Sequence, residues 1–511
     1  MLASAADQAE FIDLGVKKMT TIANQKAWTI PGPSPLPLVG RIVNTINFAK
    51  DSIGYSSELF KTYGKVASIV AGGGTNLYSA ASDCPGTVIA YGPEIVRQVA
   101  TQSHIYHKAP LSGILYRYKD VSERTKPLKN YGVGLFGVND ETHLKQRKLM
   151  MPAFHHQQLR SYRDDMVAIT QSELEQIKVN EPCEINQLMK RLTLRIATQS
   201  LFGEDVIEKD HSAGNLLQEI ISIQISPFTR LLPLDLPGFS FHRYLDLLSL
   251  FETQMKGIIA EKKAKTTPDS DVLSMLVKAR YEDTGHLLTE DELIAHTGVL
   301  FLAGHETTAN ALTWILLLLS QHPQVCSDLF DELDSTLHGN SPSVEQLQKL
   351  PLLERVIKES LRVITSVPWN GRVTSQTTEL GGYVLPKGTE VFVSIYHTHH
   401  LPDIYPDPEA FNPQRWESIN PSVYEYNPFS AGPRLCLGAA FAMMEIKIVL
   451  AMLLQRFRWE YLPVQKIDRN GFISIKPKFG MQMKVCSQDR EFMHGVGSVE
   501  GNVREMVKLP S

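Results

Sequence analysis

Cys436 stands in a setting that favours a thiolate. It lies in Pro428 to Glu445, PFSAGPRLCLGAAFAMME, inside a loop bracketed by Gly432 and Gly438 and directly before a stretch of helical periodicity. The glycines let backbone approach a flat ligand closely, and the helix N-terminus that follows turns amide donors and positive dipole toward the sulfur. A free thiol is more often a small buried hydrophobe. That reading leaves the surrounding Phe429, Gly432, Arg434 and Gly438 unexplained.

Other groups have spacings that suit a shared task. Within the most apolar span, Leu293 to Leu319, the run Ala303-Gly304-His305-Glu306-Thr307-Thr308 places a glycine, a carboxylate and two hydroxyls mid-helix. Gly304 has no side chain, and a threonine hydroxyl bonds the carbonyl four residues back, so the helix can open into an oxygen-sized pocket; the plainer alternative is a kink without chemistry. His143 and Arg147 lie four apart on one helix face and can both reach one anion. Glu359 and Arg362, three apart, read in isolation as a solvated pair worth roughly 0.2–0.5 kcal/mol.

Several familiar patterns fail on inspection. Gly132-Val-Gly-Leu-Phe-Gly137 matches GxGxxG, but it follows a polar segment and lacks the acidic residue some twenty positions on. His305-Glu306 begins like HExxH, yet Ala309 occupies the second histidine position. No GxxxxGK[ST] or GxSxG occurs.

The run Phe429-x-x-Gly432-x-Arg434-x-Cys436-x-Gly438, followed by Phe441-Ala442-x-x-Glu445, resembles the haem-binding loop of the cytochrome P-450 haem-thiolate enzymes, with every family position filled. The resemblance implies that Cys436 is the proximal ligand to the iron of haem b (iron protoporphyrin IX), that Phe429 packs near the sulfur, and that Arg434 pairs with a haem propionate. Glu359-Ser-Leu-Arg362 fits the family's ExxR motif, with Arg415 in Phe411-Asn-Pro-Gln-Arg415-Trp416 as the third member of its buried charge network. The family's (A/G)Gx(D/E)T motif places the acid and alcohol pair on Glu306 and Thr307, implied to deliver protons and orient bound oxygen. His143 stands where many relatives have tryptophan; with Arg147 and with Arg372 in Asn370-Gly-Arg-Val it is implied to hold the propionates. The likeness runs from Pro31 to about Cys486.

These residues need particular elements around them. Ile30 to Gly40, with four prolines in eleven residues, predicts a stiff extended lead-in after residues 1–30. Val66 to Val70 and Thr87 to Ala90 predict short strands, with a helix from Pro93. Helical spacing dominates from Thr142 to about Glu292 and continues through Glu290 to Gln321, Pro323 to Leu337 and Leu350 to Val363. Gly382 to Ser394 predicts two strands around a Pro-Lys-Gly turn, and Phe472 to Cys486 a terminal hairpin. The expectation is a mainly α chain with small β-sheets and the cytochrome P-450 fold, haem lying between the Thr307 helix and the Cys436 loop. Residues 31–486 form one domain on this reading, and residues 487–511, with three glycines and little periodicity, a mobile tail.

Composition narrows the function. With 43% hydrophobic and 21% charged residues the chain is an ordinary globular protein. A formal charge of −4 gives no field for a nucleic acid. Five scattered cysteines, none spaced as CxxC, suggest neither a disulfide framework nor a zinc site, and make a reduced, cytoplasmic setting the default; peripheral membrane association stays open. The acidic first thirty residues predict no transmembrane anchor. A carboxylate mid-span, costing about 2.5–3.5 kcal/mol on insertion scales, makes Leu293 to Leu319 a core helix.

The family resemblance then implies a monooxygenase that uses O2 and electrons from a separate ferredoxin or flavodoxin; Lys145, Arg147, Lys148 and Arg434 give a local basic patch to steer an acidic partner, the plainer alternative being that Lys145 and Lys148 are a solvated helix face. Its substrate is a hydrophobic small molecule, in order a fatty acid, alkane or terpenoid, held by segments around Leu111 to Leu115, Ile221 to Leu232, Ala303 and Val367-Pro368. The wording AGHETT is nearest the fatty-acid hydroxylase branch. The competing classes are a haem-thiolate peroxygenase or isomerase and a haem sensor without catalysis, against which Glu306 and Thr307 argue.

Overall fold

The computed structural model describes residues 28–510 apart from 36–39, 80, 82, 110–121, 129–133, 204–212, 225–228, 230–232, 266–269 and 464. Leu111 to Leu115, Gly132 and part of 221–232 therefore lie outside the described residues, as does the lead-in before Trp28.

Helices carry the middle of the chain as the periodicity predicts: Asp140–Met150, His156–Glu175, Ile185–Phe202, Ala213–Gln224 and Ser240–Ala264 precede the central pair Glu290–Gly304 and Glu306–Gln321. Their ends have local causes. Gly203 closes Ile185–Phe202 at φ 74, a left-handed conformation that glycine adopts without strain. Thr289 and Glu292 form a reciprocal capping box at the start of Glu290–Gly304. The Glu306–Gln321 helix is the centre of the core: Leu312 and Trp314 through Leu319 are all buried, and it packs against Ile185–Phe202, Pro351–Val363 and Ala439–Arg456. Each such leucine contributes about 1.5–3 kcal/mol relative to exposure.

The strands β1 (Val66–Ser68), β2 (Thr87–Tyr91), β3 (Tyr106–His107), β5 (Trp369–Thr374) and β8 (Glu390–Ser394) form one sheet in the order β1-β2-β8-β5-β3. β2 and β8 run parallel, with Val88 opposite Val391, and the other pairs are antiparallel. The sheet has a direct role in the site. β5 carries Arg372, and β3, paired to it through His107 and Val373, leads straight into Lys108.

The predicted terminal hairpin is corrected, and the two strands predicted around the Pro-Lys-Gly turn are present but do not pair with each other. They are β7 (Tyr383–Leu385), which pairs with β6 (Thr378–Leu380), and β8, which joins the large sheet. In Phe472 to Cys486, β11 (Lys476–Pro477) pairs back to β10 (Arg469–Asn470), and β12 (Gln482–Ser487) pairs with β9 (Phe457–Tyr461) and β4 (Pro182–Glu184). Turn chemistry marks where a strand ends and not which partner has the matching apolar face.

The expected mobile tail is also corrected. Val499, Val503, Met506 and Val507 are buried in the main core, and Arg469 bridges Asp51 and Glu505 at 2.6 and 2.7 Å. The glycines there serve close approach: a Cβ on Gly495 would stand 2.5 Å from the Tyr461 carbonyl oxygen.

Candidate functional site

The Cys436 loop folds back on itself: the Cys436 N–H donates to the Phe429 carbonyl at 2.9 Å, with Ser430 and Gly432 at φ 65 and 67. Gly432 is fixed by its neighbour as well, since a Cβ there would lie 2.6 Å from the Ala100 carbonyl oxygen. Gly438 is different. Its φ is −89, open to any residue, and nothing lies within 4 Å of where its Cβ would stand. Neither backbone nor protein packing asks for glycine at 438, whereas a flat ring resting on the loop would.

Directly after Gly438 the helix Ala439–Arg456 begins, as the sequence implies. Cys436 is exposed, yet enough protein surrounds it that burial pushes its thiol up, against the Gly438 N–H and the Arg147 guanidinium, which pull it down. A side chain both accessible and surrounded lines a concave space.

Beside it gathers a cluster of cationic side chains. His143 is almost fully buried and is pushed down to about 4 by burial and by Arg434, Arg147 and Arg372; it is a neutral ring with one N–H to give. Burial pushes Arg372 down to about 10, and burial together with the Arg372 charge pushes Arg434 down to about 10, leaving both charged at neutral pH. Arg147 is lowered by burial and partly restored by Cys436.

The structure adds a member that sequence reasoning missed. Lys108 is held far below an ordinary lysine by burial, Arg372 and Arg434. No motif marks it, and its place directly after β3 is known only from the fold. Among the described residues no carboxylate pairs with Lys108, Arg147, Arg372 or Arg434. Asp140, whose charge acts on Arg434, is exposed and paired with His107 at 3.1 Å. Buried like charges without counter-charge are costly, so the cluster fits a dianion, which the two propionates of haem supply.

The central helix breaks where the sequence predicts. Glu290–Gly304 ends and Glu306–Gln321 begins around His305, Thr307 Oγ1 donates to the Ala303 carbonyl at 2.7 Å, and Thr308 Oγ1 donates to the Gly304 carbonyl at 3.1 Å. Ala303, Gly304, Glu306 and Thr307, like Leu300 and Leu302 just before them, are partly exposed in a span otherwise buried. Glu306 is not free: burial raises its carboxyl, but Lys476, whose Nζ lies 3.0 Å from Oε1, with Lys190 and His305, draws it below the usual range. On the same face, Asn310 Nδ2 donates to Ser474 Oγ at 2.8 Å and Trp314 Nε1 to the Ile475 carbonyl at 3.0 Å, fixing the β10–β11 turn over the break.

Glu359, Arg362 and Arg415 form the buried network that the ExxR pattern implies, and the isolated reading of a solvated pair fails. Arg362 grips Glu359 through Nε and Nη2, both at 2.9 Å, and Arg415 Nε reaches Oε1 at 2.8 Å. The remaining arginine hydrogens go to carbonyls, including Pro408 at 2.7 Å and Pro406 at 2.8 Å. Glu445, also fully buried, has no such partners: both its oxygens lack a hydrogen bond, and burial raises it well above the usual carboxylate range, eased only by Thr308.

Two of the four members of the basic patch expected to steer a redox partner are paired with carboxylates, while Arg147 and Arg434 have no such partner among the described residues. Lys145 pairs with Glu141 and Asp283, both at 2.8 Å, and Lys148 with Glu282 at 2.6 Å. The turn carrying Glu282 and Asp283 is far away in sequence and neutralises them. On the same two segments Leu144 at 53%, Leu435 at 43% and Met151 at 39% are exposed apolar side chains. No described helix is long and apolar enough to cross a membrane.

Residues 30–483 match the protein family described as Cytochrome P450. Among curated proteins, the chain is 32% identical over 392 residues to "Cyclooctatin synthase" of Streptomyces melanosporofaciens, covering 75% of this chain and 83% of that one. It is 30% identical over 382 residues to "Cyclooctat-9-en-7-ol 5-monooxygenase" of the same organism, covering 73% and 80%. Among solved structures, "Retinoic acid bound cyanobacterial CYP120A1" aligns with a TM-score of 0.75 at 26% identity, over 90% of this chain and 100% of that one.

Proposed function

The chain belongs to the cytochrome P450 family, a haem-binding oxidoreductase family, and on that premise we propose that it hydroxylates an isoprenoid substrate with electrons from a separate protein donor. Haem supplies the oxygen-activating chemistry when bound. A thiolate ligand strengthens it by pushing electron density toward the iron, which is the reason for cysteine at this position.

One observation carries the reading: His143, Arg147, Arg372, Arg434 and Lys108 crowd beside Cys436 without a buried counter-charge. Cys436 is the iron ligand on this reading, with Phe429 beside the sulfur, and the five groups hold the propionates. Gly432 shapes the loop and Gly438 admits the ring. Thr307 holds a proton at its hydroxyl beside the open turn, and Glu306, ionised against Lys476, takes protons from the solvent side and passes them on through water.

For the substrate, the molecules in the relatives' names favour a terpenoid over the fatty acid first expected from the AGHETT wording. The Ser366 carbonyl accepts from the Ile475 N–H at 2.9 Å, which ties the segment leading into Val367-Pro368 to the β10–β11 turn. The donor, a ferredoxin or flavodoxin, docks on the Leu144, Met151 and Leu435 face. The test is a panel of terpenoids, alkanes and fatty acids scored by spin-state shift, followed by product formation dependent on O2 and reduced ferredoxin. A terpenoid giving both supports the proposal; shifts confined to fatty acids overturn the substrate assignment.

A further inference from the structure

Asn139 occupies the N-cap position of the helix Asp140–Met150 with the extended backbone usual there, at φ −129 and ψ 174, and its carbonyl accepts from the His143 N–H at 3.2 Å, but no helix amide donates to its side chain. Asparagine is among the best N-cap residues because its carboxamide oxygen accepts from the first turn. Here that oxygen is turned the other way. Oδ1 accepts from the Lys108 N–H at 2.8 Å and from Arg434 Nη2 at 2.6 Å, while Nδ2 donates to the Lys108 carbonyl at 2.9 Å and to the Gly137 carbonyl at 3.4 Å. Both acceptor sites and both donor hydrogens of the amide are thus engaged.

The carboxamide therefore does for Lys108 what a neighbouring strand would do, taking its N–H and giving to its carbonyl. The next residue is held in the same manner: the Ala109 N–H donates to Tyr78 Oη at 3.0 Å, and Tyr78 Oη donates to the Ala109 carbonyl at 2.7 Å. Two side chains clamp two consecutive residues beyond the end of β3, and of the two only Asn139 also binds Arg434. Arg434 is anchored further by the Leu135 and Val138 carbonyls, at 3.1 and 2.7 Å. Lys108 and Arg434 repel each other, so left to themselves they would separate.

We propose that Asn139 is a positioning residue that holds Lys108 and Arg434 together as a preformed seat for the haem propionates, giving up its side-chain helix cap to do so. The inference rests on the reading that Lys108 and Arg434 face those propionates. Its consequence is specific: serine or aspartate, which cap helices as well as asparagine, cannot replace it, because neither has a donor and an acceptor with the reach of a carboxamide.

The experiment compares the wild-type holoenzyme with Asn139→Ser, Lys108→Met and the double variant, measuring haem transfer to excess apomyoglobin, the haem reduction potential, and unfolding of the helical core by circular dichroism. Expected for Asn139→Ser is haem release at least about tenfold faster and a lower potential, as positive charge drifts from the haem edge, with the core unfolding transition kept. The double variant is expected to release haem less fast than the product of the two single effects, the remainder over Lys108→Met being the share of Arg434, since residues acting through one another are non-additive. Wild-type haem release and potential in Asn139→Ser, with Lys108→Met fast, would overturn the role of Asn139 alone. Wild-type release in Lys108→Met would overturn the propionate reading beneath it. Equal loss of the core unfolding transition and of haem in Asn139→Ser would make Asn139 a residue of general fold stability and overturn the proposal.

Discussion

The Thr307 hydroxyl donates to the Ala303 carbonyl at 2.7 Å, across the point where one central helix gives way to the next. A carbonyl that accepts from a side chain need not accept from the amide four residues on, so this bond holds the turn open at the residue assigned to hold a proton. Thr307→Ala removes the hydroxyl with little change in bulk. Expected is a several-fold rise in hydrogen peroxide per electron consumed and a matching fall in product, with Thr307→Ser close to wild type. Coupling unchanged in Thr307→Ala would remove Thr307 from the reaction.

Glu359 accepts from five donors: Arg362 twice, Arg415, Trp416 Nε1 at 3.0 Å and the Asn412 N–H at 3.0 Å. Glu359→Gln keeps the shape but strands two buried guanidinium groups. Breaking a buried pair in this way costs about 3–5 kcal/mol. The variant is expected to show a markedly lower unfolding midpoint and little bound haem; a wild-type midpoint would mean that the network is decorative.

Glu445 gives a pH dependence of definite sign. Burial raises its carboxyl well above the usual range, so the folded protein keeps a proton that the unfolded chain releases above about pH 4.3. Stability attributable to this group therefore falls as pH rises above that value, until the folded group itself ionises. Glu445→Gln is neutral in both states. Its unfolding free energy is expected to fall less steeply than wild type between pH 5 and 8 in denaturant titrations; parallel curves would show that Glu445 is ionised in the fold.

Lys145 and Lys148 are already paired, so electron transfer from the donor should depend weakly on salt, while an acid placed in the apolar face should impair it. Stopped-flow reduction is expected to slow strongly in Leu435→Glu and Leu144→Glu and to change little in Lys148→Ala. A steep salt dependence in the wild type would restore the basic patch as the docking site.

Much of this site was legible in the sequence, for a physical reason: iron ligation, the open turn and the buried triad each fix a residue type at a fixed local spacing. Cys436, Glu306, Thr307, Glu359 and Arg362 all sit within such runs. Lys108 and Asn139 were not legible, because their roles arise from β3 pairing with β5 and from a side chain 31 residues away. Strand partners escaped in the same way. The Pro-Lys-Gly turn marks strand ends, but β8 finds its partners in β2 and β5, which lie outside that turn. The tail misled because its glycines, read as signs of mobility, answer to close contacts such as that of Gly495 with Tyr461.

The central claim, that Cys436 binds haem iron as a thiolate beside the propionate-holding cluster, is tested most directly by the reduced carbon monoxide difference spectrum of the wild type and Cys436→Ser. The wild type is predicted to show the long-wavelength Soret band of thiolate-ligated ferrous haem, and the variant to lose it. A short-wavelength band in the wild type, or an unchanged spectrum in Cys436→Ser, would contradict the account.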